Sequence, residues 1–133
     1  MARIERFEDI VAWQKARILC KIIKGFTRKP EFSKDFKLSG QIPDSSGSVM
    51  DNIAEGFERG GNKEFVQFLF IAKGSCGEVK SQLYRAIDSA YIDDIEFQDA
   101  YNKADEIGKI IEGFINYLQQ SDLKGRKFNR DNK

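Results

Sequence analysis

The chain contains no histidine. That removes His-based general-base catalysis, Ser-His and Cys-His nucleophile pairs, and imidazole metal ligands. It also removes the di-iron arrangement of helix bundles, which needs Glu-x-x-His on two helices. Cysteine is scarce: Cys20 and Cys76 are the only two, far apart in sequence. A disulfide framework or a zinc site needs more, so free core thiols in a reducing, cytoplasmic setting are expected. No apolar run approaches the roughly 18 residues of a membrane span. The N-terminal residues are polar and of mixed charge, unlike a secretory signal. There is no P-loop ending, no dinucleotide fingerprint and no Gly-x-Ser-x-Gly. The expectation is a protein that is not an enzyme, carries no cofactor or metal and has no membrane partner. Carboxylate-only Mg²⁺ binding survives these absences, with Asp51 and Glu55, one turn apart, as the obvious pair, although such acid pairs are common on helices.

Proline is nearly absent too, with two in 133 residues, and strand-like alternation is scarce. What is present is helical periodicity. From Phe65 to Ala90 apolar and small residues recur at Phe65, Leu69, Ala72, Cys76, Val79, Leu83, Ala86 and Ala90, in steps of 4 and 3. Only a helix gathers such positions on one face. Gly74 and Gly77 lie inside this stretch. Each costs about 1 kcal/mol of helix propensity, which predicts that a neighbouring helix comes close there. A matching stripe runs Phe97, Tyr101, Ala104, Gly108, Ile111, Ile115 and Leu118, so these two helices should pack antiparallel. Asp93 or Asp94 is placed to cap the latter helix, and Asn62 the former.

Nearer the N-terminus, Ile10, Trp13, Ala16, Cys20, Ile23 and Phe26 define another helix, with Glu8 and Asp9 at its positive end and Pro30 beyond it. Trp13 reads as a large core anchor. Leu38, Ile42, Val49, Ile53 and Phe57 keep a helical register across a region of poor propensity. That favours one helix running through Pro43 over a loop ending near Ser46. Gly56, Gly60, Gly61 and Asn62 then close it. The reading is an all-α, antiparallel up-down-up-down four-helix bundle with helices near 8–28, 33–59, 62–91 and 94–120. It forms a single domain over 1–120, followed by a basic, disordered tail over 121–133.

Charge is unevenly spread. Residues 1–29 carry net +5, residues 30–123 net −8 and residues 124–133 net +4. Arg17, Lys21, Lys24 and Arg28 make a stripe about 16 Å long on one face of the first helix. It is either a phosphate-tracking surface, or a solvated face, or the cationic half of ion pairs with a neighbouring helix. Lys124, Arg126, Lys127 and Arg130 add a basic end. Ser48, Asn52 and Glu55 share a helix face, which predicts a buried polar network reaching the next helix near Ser75. A ligand site or a subunit contact is the alternative.

Gln41, Ser48, the string Asn52-Ile53-Ala54-Glu55-Gly56, Lys63-Glu64-Phe65, and Ala72-Lys73-Gly74-Ser75 with Glu78 resemble one family. The opening Phe7 with Trp13-Gln14 matches it as well. This is the family of small bacterial four-helix bundle proteins found in intervening sequences of large-subunit ribosomal RNA genes. It is similar to the accessory variability proteins of diversity-generating retroelements. The resemblance spans roughly residues 5–120. It implies a homo-oligomer, a pentamer, that associates with RNA or DNA and with a nucleic-acid enzyme such as a reverse transcriptase. A protein-only interaction bundle is the alternative. The family often has a basic pair just after the glutamine. Pro43 and Asp44 stand there in this chain, which puts that contact in doubt. Excess apolar surface on the third helix (Phe65, Phe68, Phe70, Ile71, Tyr84 and Ile87) and at Phe57 and Phe114 also predicts self-association.

Overall fold

The computed structural model describes residues 3–131, with side chains through 121. Every regular element among them is helical. A 3-10 turn, Phe7–Asp9, leads into α1 (Val11–Thr27), followed by α2 (Pro30–Lys34), α3 (Phe36–Glu58), α4 (Asn62–Asp88) and α5 (Asp94–Asp131). The four long helices form a closed ring of neighbours, α1 against α3, α3 against α4, α4 against α5, and α5 against α1. Cross-helix pairs give their directions. Lys73 reaches Glu112 and Lys80 reaches Asp105, so α4 and α5 run oppositely. Lys15 meets Glu106 and Lys29 meets Glu96, which sets α1 against α5 in the same way.

The periodic stripes form the core. Leu19, Ile23, Ile42, Ile53, Leu69, Leu83, Ile107 and Ile111 are all fully buried, with no more than 1% exposure. α3 passes through Pro43 without interruption. Ser46, one turn later, donates its hydroxyl hydrogen to the Pro43 carbonyl at 3.1 Å. Asp93 caps α5 as a reciprocal box: its carboxylate accepts from Glu96 N–H at 2.8 Å, and the Glu96 carboxylate accepts from Asp93 N–H at 3.0 Å.

Several expectations are corrected. The first helix starts at Val11, because Asp9 spends its carboxylate on the N–H groups of Glu5 and Arg6 and shapes a turn instead. Asn62 does not cap α4; Gly61 occupies the cap position and no side chain serves it. α4 ends at Asp88, since Ala90 takes a left-handed φ of 61° and turns the chain. α5 continues to Asp131, beyond the end of its apolar stripe at Leu118. The side chains of residues 122–133, those of Lys124, Arg126, Lys127 and Arg130 among them, lie outside the described residues. Trp13 is half-buried at the margin of the core, edge-on to Phe7 at 5.1 Å.

Close helix approach occurs at Gly56, not at Gly74 or Gly77. A Cβ on Gly56 would lie 2.7 Å from Phe68 Cβ, whereas one on Gly74 or Gly77 would meet nothing within 4 Å. Gly56 is therefore an interior contact of α3 and α4, and the chain turns only after it.

A corner absent from the sequence reading joins the two ends of the bundle's upper face. α2 is a single turn begun by Pro30. Its Phe32 is completely buried and stacks on Tyr91 at 4.9 Å. The Tyr91 hydroxyl donates to Asp35 Oδ2 at 2.9 Å, while Asp35 Oδ1 accepts from Leu38 N–H at 3.1 Å and caps α3. The Leu38 N–H first, and then the Tyr91 hydroxyl, hold the Asp35 carboxyl below its ordinary value of 3.8. A carboxyl depressed by folding stabilises the fold above its unfolded pKa, and this is lost as pH falls through the folded value. The melting-temperature gap between wild type and Asp35→Ala should therefore be open at neutral pH and narrow below about pH 4. A gap that stays constant into acid would refute the assignment.

Candidate nucleic-acid interface

α1 buries Ala12, Ala16, Leu19, Ile23, Phe26 and Thr27. The same 3.6-residue period that gathers these side chains puts Arg17, Lys21, Lys24 and Arg28 on the opposite side. All four are exposed. None forms an ion pair among the described residues. Several other cations behave differently. Lys15 lies 2.9 Å from Glu106, Lys29 pairs with Glu96, and Lys80 lies 2.9 Å from Asp105. The bundle thus neutralises the cations that point along helix seams and leaves the stripe to solvent. Arg17 is further defined by its place over Trp13, with the guanidinium carbon 5.9 Å from the ring centroid.

On α3, Asp44 and Asp51 are exposed. Asp51 and Glu55, the pair suited to Mg²⁺, are not joined by a third ligand. Glu55 instead accepts from Arg59 at 3.0 Å along the same helix. Among the described residues no three Cys, Asp or Glu side chains cluster to hold a metal.

The polar motif assembles in part. Asn52 donates its amide to the Ser48 carbonyl at 2.8 Å and to the Ser48 hydroxyl oxygen at 2.9 Å. The Ser75 hydroxyl lies 2.9 Å from that of Ser48, joining α4 to α3. Glu55 is outside this network, exposed and paired with Arg59. Gln41 extends the seam toward the upper end by accepting from Arg85 at 3.1 Å. These groups consume one another's hydrogen-bonding capacity, which fits a helix-joining role.

The thiols are unsuited to chemistry. Burial pushes Cys76 up to about 12 and also raises Cys20, so both remain protonated near neutrality and neither is a good nucleophile. Both are free, and Cys20 contacts the Met50 sulfur at 3.5 Å.

An open apolar groove of about 960 Å³ lies at the lower end of the α1–α5 seam. Its walls include Val11, Phe57, Phe65, Ile110, Phe114 and Tyr117, with Gly113 leaving one side low. Sequence reasoning missed it because its walls come from segments distant in the chain that only packing brings together.

No helix among the described residues is long and apolar enough to cross a membrane. Among curated proteins, no relative matches the chain. A crystal structure of a protein of unknown function from the S23 ribosomal protein family of Bacteroides thetaiotaomicron is similar at 25% identity. The match covers 80% of this chain and 96% of that one, with a TM-score of 0.73. The model of the 23S rRNA-intervening sequence protein family matches residues 8–113, spanning the stripe, the polar seam and most of α5, so the chain belongs to that family.

Proposed function

We propose that the protein is a non-enzymatic, self-assembling bundle that binds the phosphate backbone of nucleic acid and serves a larger ribonucleoprotein or polymerase in the cytoplasm. The observation that carries this reading is the α1 stripe, Arg17, Lys21, Lys24 and Arg28, exposed and without an ion-pair partner among the described residues. Four cations in a row along one helix face suit phosphates, which position a nucleic acid without reading its sequence. The basic residues Lys124, Arg126, Lys127 and Arg130 would add reach. One stripe offers about four phosphate contacts, and several copies on a ring would multiply them through avidity. The family resemblance favours a pentamer.

The exposed acids Asp44 and Asp51 of α3 favour a second reading, a module that binds only protein. Replacing Arg17, Lys21, Lys24 and Arg28 with Gln separates the two. On the first reading, affinity for a 30-nucleotide RNA or DNA at low salt falls at least about tenfold, while the oligomer's mass is unchanged. An unmutated protein that ignores both nucleic acids at low salt, or a variant that dissociates, would favour the protein-only module.

A further inference from the structure

The groove at the lower end of the bundle plays no part in the function proposed above. Its volume of about 960 Å³ lies in the range that holds a small organic ligand, about 300–1,000 Å³. α5 forms one wall with Ile110, Gly113, Phe114, Tyr117 and Leu118. These positions step by 3, 1, 3 and 1, so they share one helix face. They run for about 12 Å at the helical rise. Ile4, Ile10 and Val11, from the segment that leads into α1, form a second wall. Phe57 at the end of α3 and Phe65 at the start of α4 complete the apolar lining.

The walls are already in place. Phe65 meets Phe57 edge-on at 6.0 Å and Phe114 edge-on at 5.3 Å, so the three rings hold one another. The apolar surface is nevertheless unspent: Val11 keeps 51% exposure and Tyr117 56%. Gly113 shares the helix face of Ile110 and Tyr117, and a Cβ there would meet nothing within 4 Å. The glycine therefore keeps clear a space that any larger residue would enter.

Charge narrows the kind of ligand. Two charged residues line the groove, Arg3 and Asp9. Asp9 is already engaged. One of its carboxylate oxygens accepts from the N–H groups of Glu5 and Arg6, and the other lies 4.0 Å from the Arg6 guanidinium. Arg3 has no ion-pair partner among the described residues. Gly61 and Asn62 line the groove as well. They begin α4, and no side chain caps that end, so the positive end of a 27-residue helix adds to the Arg3 charge. A cationic ligand would find no carboxylate to spare here, and a polyphosphate would find too few cations. A single negative charge on an extended apolar body uses both the cation and the wall.

We propose that the groove binds a medium-chain fatty carboxylate, its head at Arg3 and its acyl chain along Ile110, Phe114 and Tyr117 of α5. The site is separate from the basic stripe of α1 and stands or falls independently of it. Equilibrium dialysis of the full chain against octanoate, decanoate and 1-octanol tests it. Decanoate should bind one per chain, and more tightly than octanoate, by up to about fourfold for each added methylene. Arg3→Gln should weaken octanoate by about three- to fivefold, the scale of a solvent-exposed ion pair, and leave 1-octanol unchanged. Gly113→Leu should abolish binding of all three ligands. It should melt no lower than wild type, since leucine is the better helix former and its Cβ meets nothing within 4 Å. Val11→Glu sets a carboxylate in the opposite wall and should weaken decanoate at least about tenfold, a second check that does not depend on how the glycine variant folds. The stripe variant with Gln at 17, 21, 24 and 28 should bind decanoate as wild type does. A wild type that does not bind decanoate would overturn the proposal. So would well-folded wall variants that bind it unchanged, or an Arg3→Gln variant that keeps full affinity for octanoate.

Discussion

Phe32→Ala should lower stability by about 3–5 kcal/mol, the range for deleting a fully buried aromatic ring. For a chain of this length that is a fall in melting temperature of roughly 10–20 °C. Phe32 has no exposed surface and stacks on Tyr91 at 4.9 Å. α2 is too short to persist by itself, as a one-turn helix is far below the length at which propagation outweighs nucleation. The ring is therefore what folds α2 onto the bundle, and removing it also releases Tyr91 from Asp35. Thermal denaturation followed by circular dichroism measures the loss. A fall below about 1 kcal/mol would mean that α2 is decoration on a bundle that does not need it.

Gly56→Ala and Gly47→Ala should act with opposite signs. The same methyl is added to the same helix, and each gains up to about 1 kcal/mol of helix propensity. At Gly47 the methyl meets nothing within 4 Å, so the gain stands and the protein melts higher. At Gly56 it would lie 2.7 Å from Phe68 Cβ and 3.0 Å from Phe65 Cδ1. Phe68 Cβ is anchored to its own backbone and cannot swing aside, so α3 and α4 must separate. Overpacking of this kind costs about 1–3 kcal/mol, more than the propensity gain, and the net effect is destabilising. Equal melting temperatures for both variants, determined by calorimetry, would show that α4 adjusts freely and that the contact is not tight.

The glycines also show how far a sequence carries. A missing side chain is visible in it, but the identity of whatever approaches the gap is not. Gly74 and Gly77 sit in the more regular stripe and were the natural candidates for close packing. Gly56, placed near the turn, looked like punctuation and proved to be the contact. The long stripes of α4 and α5 were legible because burial repeats with the helical period over many turns. Phe32 was not, since one aromatic in a single turn has no period. The basic stripe was legible as a row, and its lack of partners was not, because Lys15 on α1 and Lys29 just beyond it find α5 acids only once the bundle closes. Asn52, Ser48 and Ser75 met as their spacing implied. Glu55 left that group for Arg59, a local pair one turn away that needs no tertiary structure.

The pairing of Trp13 with Arg17 gives the molecule an optical handle on its own interface. Trp13 is the sole tryptophan, so the indole emission of the chain comes from one side chain. That ring has Phe7 at its edge and the Arg17 guanidinium over it, 5.9 Å from its centroid. A phosphate drawing Arg17 outward would uncover the indole, whereas melting of the Phe7 turn would expose it from the other side. Binding at the stripe and loosening of the N-terminal segment can therefore be followed in unlabelled protein. The first should depend on salt and the second on denaturant.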